Sequence, residues 1–213
     1  MNTTEVEYKG QIKNFDELWK LATKQFLEYE KIEGIDDWEA YDFSIDCPED
    51  QMKFKDMLQI RFIEELTEAS VAMDEPDPEH FWEEITDAAN FFFSAMIMLG
   101  VDYNKLGNPI SFLHSGSLIE KTPFESKEYF GYYTYPVIEK VGYLCNLLKN
   151  RPWTESNYLV SMYDFDLRLK ELRKAFWEYL NRLHIHMNDY VKCFIRNIQL
   201  ISTGGKQVIN ENI

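Results

Sequence analysis

Apolar residues between positions 58 and 100 recur at three- and four-residue intervals in two runs, separated by a short acidic turn that contains proline. In the first run Phe62, Leu66, Ala69 and Met73 fall at i, i+4, i+7 and i+11. In the second, Trp82, Ile85, Ala89, Phe92, Met96 and Leu99 keep the same period. This is the stripe of an amphipathic helix, so the pattern predicts two helices. Asp77 is placed to cap the second, Pro78 to occupy its first position and Gly100 to end it, with the turn at about residues 74–77.

The same reading extends along the chain. A helix is predicted over residues 15–33, capped by Asn14 and ended by Gly34, with Phe15, Leu18, Ala22, Phe26 and Tyr29 inward. Residues 35–50 lack a sustained period and read as a loop, after which Pro48 opens the first arm of the hairpin. Gly107, Pro109, Gly116, Pro123 and Gly131 break the stretch 101–135, which reads as a long irregular connection. Pro136 is expected to open a helix running to about Lys149, with Val137, Val141, Leu144, Leu147 and Leu148 inward. Thr154 can cap the next helix, and an apolar stripe from Leu169 to Ile201 predicts one long helix or two nearly collinear ones. The expected fold is an all-α helical bundle around an antiparallel two-helix hairpin. It forms a single domain over 1–213, with a core at 14–100, an elaboration at 101–135, C-terminal helices at 136–202 and a flexible tail at 203–213.

Acidic residues change the picture. Glu65 and Glu68 stand one turn apart beside the first stripe, with Glu64 one turn before Glu68, and Glu84 and Asp87 stand one turn apart beside the second. In an antiparallel hairpin the centre of the first pair lies roughly 10 Å before the turn and that of the second roughly 12 Å after it. The four carboxylates would therefore meet. Each like-charged contact at ~4 Å costs roughly 4 kcal/mol at an effective dielectric of 20, so such a group must be splayed into water, protonated or neutralised by cations. A hard divalent ion such as Mg²⁺ takes oxygen ligands and bridges carboxylates to phosphates.

Composition narrows the partners. The 213 residues are 45% hydrophobic and 15% aromatic, enough for one sizeable core, and carry a net charge of -15. That charge disfavours sequence-independent binding to nucleic acid or anionic membrane, but leaves a free nucleotide open if metal ions bridge the anions. Cys47, Cys145 and Cys193 make neither a disulfide framework nor a zinc spacing. With no apolar leader and no membrane-length apolar run, a soluble cytoplasmic protein is expected.

The acids also carry a resemblance. Glu64-Glu65-x-x-Glu68, a spacer, and then Glu84-x-x-Asp87 resembles the E-E-x-x-E and E-x-x-D signature of the all-α nucleoside triphosphate pyrophosphatases, the superfamily of MazG-like proteins and dimeric dUTPases. Asp87-Ala-Ala-Asn90-Phe91 is similar to the D-x-x-H-F segment of the dimeric dUTPases, with Asn in place of His. The resemblance implies a homodimeric, Mg²⁺- or Mn²⁺-dependent hydrolase that splits a nucleoside triphosphate into the monophosphate and pyrophosphate. Glu65, Glu68, Glu84 and Asp87 would hold the metal and Glu64 would serve as general base.

By the same resemblance Gln25 would read the base, with a core-edge amide bonded to a neighbouring helix as the other reading. Asn90 and Phe91 would touch sugar or base. Trp38, Tyr41 and Phe43 are either stacking walls for a base or core anchors. Lys192 and Arg196 are either phosphate contacts or solvated charges. Tyr190 and Asn197 fit the family's Y-x-x-K-N-x-x-N spacing, whereas Cys193 and Phe194 stand at its K-N positions and Leu200 and Ile201 at the R-Q after it. The substrate could be dUTP, dCTP or another triphosphate. The rival class is a helical partner-binding protein that kept the fold and lost the chemistry. A di-iron bundle would need Glu-x-x-His pairs that do not follow these acids. His80, His114, His184 and His186 are read as isolated.

Overall fold

The computed structural model describes residues 15–183 except 33, 36, 39–40, 77, 102–125, 151 and 154–157. Secondary structure among the described residues is entirely helical: α1 (Phe15–Ile32), α2 (Pro48–Lys55), a π-helical turn (Asp56–Arg61), α3 (Phe62–Ala72), α4 (Pro78–Met98), α5 (Lys127–Cys145) and α6 (Met162–Arg182). The fold is all-α. None of these helices is long and apolar enough to cross a membrane.

α2, the π turn and α3 form one continuous rod, because the residues at each junction keep right-handed helical dihedrals. α3 folds back on α4 through the short connection at 73–77, α1 packs on α4, and α5 pairs with α6. Small buried residues, Ala69 and Ala72 on α3 with Ala88 and Ala89 on α4, let the hairpin arms approach closely. Its stripe meets the rest of the bundle at Phe62, Phe92 and Phe176, whose rings lie 4.2 to 6.2 Å apart.

The rod is also tied at its base. Asp50, buried, accepts from the Ser44 backbone N–H at 2.8 Å and from the Tyr41 hydroxyl, which folds the 41–47 loop onto α2. Across from it, the Asn150 backbone N–H donates to Gln51 Oε1 at 2.9 Å, and Lys55 donates to the Leu148 carbonyl. The chain after α5 thus anchors α2, immediately before the π turn.

Three expectations are corrected by this arrangement. The helix expected from Pro136 begins at Lys127, so the last part of the expected irregular connection is helical. Ser126 caps it by accepting from the Tyr129 N–H, and Phe130, Thr134, Val137, Val141 and Leu144 form one buried stripe straight through Pro136. Pro136 and Gly131 both lie on the exposed side, where water can serve the carbonyl that loses its partner. α6 opens after Ser161, its cap, rather than running on from position 154, since residues 158–161 are non-helical; Thr154 itself lies outside the described residues. Tyr29 is 40% exposed although Leu18, Ala22 and Phe26 are buried, because the end of that stripe faces a cavity rather than the core. Leu169, Leu172, Phe176, Leu180 and Leu183 are buried as the stripe required; Asn14, Asp77, the rest of that stripe and the tail lie outside the described residues.

Two glycines respond to substitution with opposite signs. Gly34 sits at φ +92, and a methyl group placed on its Cα would meet nothing within 4 Å, so Gly34→Ala should cost about 1–2 kcal/mol through backbone strain alone. Gly131 lies inside α5, also in open space, and Gly131→Ala should stabilise by about 1 kcal/mol. Urea midpoints that move the same way for both would contradict the helix boundaries.

Candidate functional site

Glu65 projects from α3 toward Glu84 and Asp87 on α4, and one carboxylate oxygen from each lies within 4.8 Å of the others. Glu84 is 8% exposed, and Glu65 and Asp87 are half-buried. The hairpin forces this approach, since each acid flanks a residue locked into the core: Leu66 beside Glu65, Ile85 beside Glu84 and Ala88 beside Asp87. Burial, the hydrogen bond to Glu84 and the charges of Asp87, Glu84 and Glu68 push the Glu65 carboxyl up to about 9. Burial is the largest of these causes, and the neighbouring carboxylates add to it.

The remaining two acids stand differently. Glu68 is exposed at the rim of the cluster; partial burial and the charges of Glu84 and Glu64 raise its carboxyl. Glu64 is exposed and is not part of the lining of the cavity beside the acids. The structure therefore brings three of the four expected metal ligands together, with Glu68 beside them.

His80 is not isolated, contrary to the reading from sequence. Its Nδ1 lies 2.7 Å from Glu75 and its Nε2 2.7 Å from Glu84, so the imidazole spans from the turn to the buried acid. The bond to Glu75 and, after it, the charges of Glu75 and Glu84 raise its pKa and favour the imidazolium. The i, i+4 spacing of His80 and Glu84 on one helix was the available signal.

Beside the acids opens a cavity of about 460 Å³, within the range of small-molecule sites. α1 contributes Gln25, Phe26, Tyr29 and Glu30; the rod contributes Lys53, Asp56, Met57, Arg61 and Glu65; α4 contributes Asp87, Asn90, Phe91 and Ser94. Gln25 is 8% exposed at this wall. Asn90 Nδ2 donates to Asp87 Oδ1 at 3.4 Å, and the Arg61 guanidinium lies 5.9 Å from the Phe91 ring centre. Arg61 Nε also donates to Asp56 at 3.0 Å, while Lys53 pairs with the buried Glu30 and lies over Trp38.

Gln25, Glu65, Asp87, Asn90 and Phe91, singled out from sequence, thus share one cavity. The sequence pattern missed Lys53, Asp56 and Arg61. Trp38, Tyr41 and Phe43 do not line it: Trp38 packs edge-on to Phe26 at 4.8 Å and stacks on Tyr41 at 5.0 Å, and all three border a separate depression near the end of α4. Lys192, Arg196 and Asn197 lie outside the described residues, as do His114, His184, His186 and Tyr190.

The acid cluster has a measurable signature. Glu65 binds its proton more tightly folded than unfolded, so its contribution to stability is full below the ordinary carboxylate value of 4.5 and is lost as pH rises toward about 9. In chelator the thermal midpoint should fall across that interval, Glu65→Gln should flatten the fall, and millimolar Mg²⁺ should restore the midpoint at high pH. A midpoint insensitive to both pH and Mg²⁺ would mean that the three oxygens are not held together in solution.

No family model, curated protein sequence or solved structure matches this chain, so the chemistry of the site is argued from its geometry and from the acidic signature alone.

Proposed function

We propose that the chain is a divalent-metal-dependent nucleoside triphosphate pyrophosphohydrolase, converting a triphosphate and water to the monophosphate and pyrophosphate. The observation that carries this reading is the convergence of Glu65, Glu84 and Asp87 within 4.8 Å, with Glu65 and Asp87 lining a nucleotide-sized cavity. Three converging carboxylate oxygens, with Glu65 pushed toward its protonated form, suit a hard cation such as Mg²⁺ or Mn²⁺, and Glu68, whose carboxyl feels the charge of Glu84, stands at the rim beside them. When bound, such an ion neutralises part of the triphosphate charge and makes water acidic enough to attack phosphorus.

The chain's own residues supply the rest. Glu65 must release its proton for the donor set to form, which ties activity to the neutral and alkaline range. Glu64, exposed and electrostatically linked to Glu68, is assigned as acceptor of the proton lost by the attacking water. His80, bonded to Glu84, fixes the orientation of that carboxylate. Phe91 offers a face to the base and Gln25 a buried amide to its edge, an arrangement in keeping with a dUTPase-like preference among triphosphates.

Pyrophosphate release across the common ribo- and deoxynucleoside triphosphates, with and without Mg²⁺, tests the reading. Glu84→Gln and Asp87→Asn should remove turnover by more than the roughly 10–100-fold expected when a supporting partner such as His80 is replaced by Asn. Helicity should stay intact in all three. Full turnover in the acid variants would sink the mechanism, and the absence of Mg²⁺-dependent nucleotide binding would instead favour a helical partner-binding protein.

A further inference from the structure

Lys53, Arg61 and Glu65 line one wall of the cavity although a single helical rod carries them. At about 3.6 residues per turn the twelve steps from Lys53 to Glu65 make about three and one-third turns, leaving Lys53 roughly a third of a turn off the face of Glu65. The π turn removes that excess. Within it the Phe62 N–H donates to the carbonyl of Met57, five residues back, and the wider loop rotates the chain less per residue. The underwound segment thereby aims Lys53, Asp56 and Arg61 into the space the acids face.

Arg61 stands one turn before Glu65, and Phe91, under its guanidinium, stands one turn after Asp87. A layer of Arg61 and Phe91 therefore lies directly beside the layer of Glu65 and Asp87. Asp56 takes Nε of Arg61 and the Phe91 ring centre lies 5.9 Å from its guanidinium, so the guanidinium has two neighbours that orient it. In a chain of net charge -15, a polyanion entering next to three carboxylates meets repulsion that cationic donors have to offset.

Building on the pyrophosphohydrolase reading, we propose that Arg61 is the residue of this chain that grips the substrate's phosphate chain, with the π turn as the element that aims it and Lys53 as a second cation on the same rod. A planar guanidinium matches phosphate oxygens in two parallel hydrogen bonds, which a lysine ammonium cannot reproduce.

Calorimetry on the full chain with inorganic tripolyphosphate and Mg²⁺ isolates this contact from base recognition. Arg61→Gln should weaken tripolyphosphate binding about ten-fold or more, and Arg61→Lys should recover part of it. Mg²⁺ affinity and far-ultraviolet dichroism should stay unchanged in both, since the Arg61 side chain is 51% exposed. Undiminished tripolyphosphate binding by Arg61→Gln, with Glu84→Gln abolishing it, would overturn the role of Arg61 and leave the acid site standing. An unmodified chain that binds neither tripolyphosphate nor a nucleoside triphosphate with Mg²⁺ would overturn both.

Discussion

Mutual repulsion among three carboxylates that the core will not let apart governs this molecule. Glu65, Glu84 and Asp87 each adjoin a residue with no freedom to move, and behind those residues the rings of Phe62, Phe92 and Phe176 fill the space between α3, α4 and α6. Splaying the acids would require opening that packing, which native interiors resist at the level of single methylenes. The charge has to be met where it stands. A proton on Glu65 is the answer the chain provides by itself, and the imidazole of His80, reaching Glu84 from the turn, is a second.

The cations on the rod follow a different logic. Lys53 with Glu30 and Arg61 with Asp56 bring cations to the cavity already engaged by acids, so their donors stay oriented. Of these four side chains only Glu30 is buried, and Arg61 and Asp56 are about half exposed, so neither pair is a large source of stability. Their position in a cavity shared with the acid cluster gives them a use that stability does not.

The three-four spacing made α1, α3, α4 and the body of α6 legible, because each carries a buried stripe of that period, although α4 is buried more widely, under α1, α3 and the π turn. α5 was half hidden: Gly131 read as a breaker and Pro136 as a helix start, yet both fall on its solvent side, and the effect of such a residue depends on which face it occupies. The π turn left a trace that a search for helical period passes over. Phe54, Leu58, Phe62 and Leu66 are all buried at successive intervals of four. Four residues overshoot an α-helical turn by about 40°, so three such steps drift by about 120° unless the helix is underwound. The matched heights of the acid pairs could be estimated from rise per residue, but the reach of His80 to Glu75 and the Arg61–Phe91 contact depend on side-chain directions that spacing does not encode.

Placing the acids and the cations on the same two helices has a mechanical consequence. Arg61 and Glu65 are separated by one turn of the rod, and Asp87 and Phe91 by one turn of α4, so the offset between the two layers is set by helix pitch, about 5.4 Å, and not by loops. The α1 wall, with Gln25, is carried by a different helix, packed on α4. A ligand bridging all three elements would have its charged part held in rigid register by the rod and α4, and its remainder read by a wall on a separate helix. Selectivity for the uncharged part of the ligand is therefore expected to reside on α1, where a change of side chain leaves the acid and cation layers undisturbed.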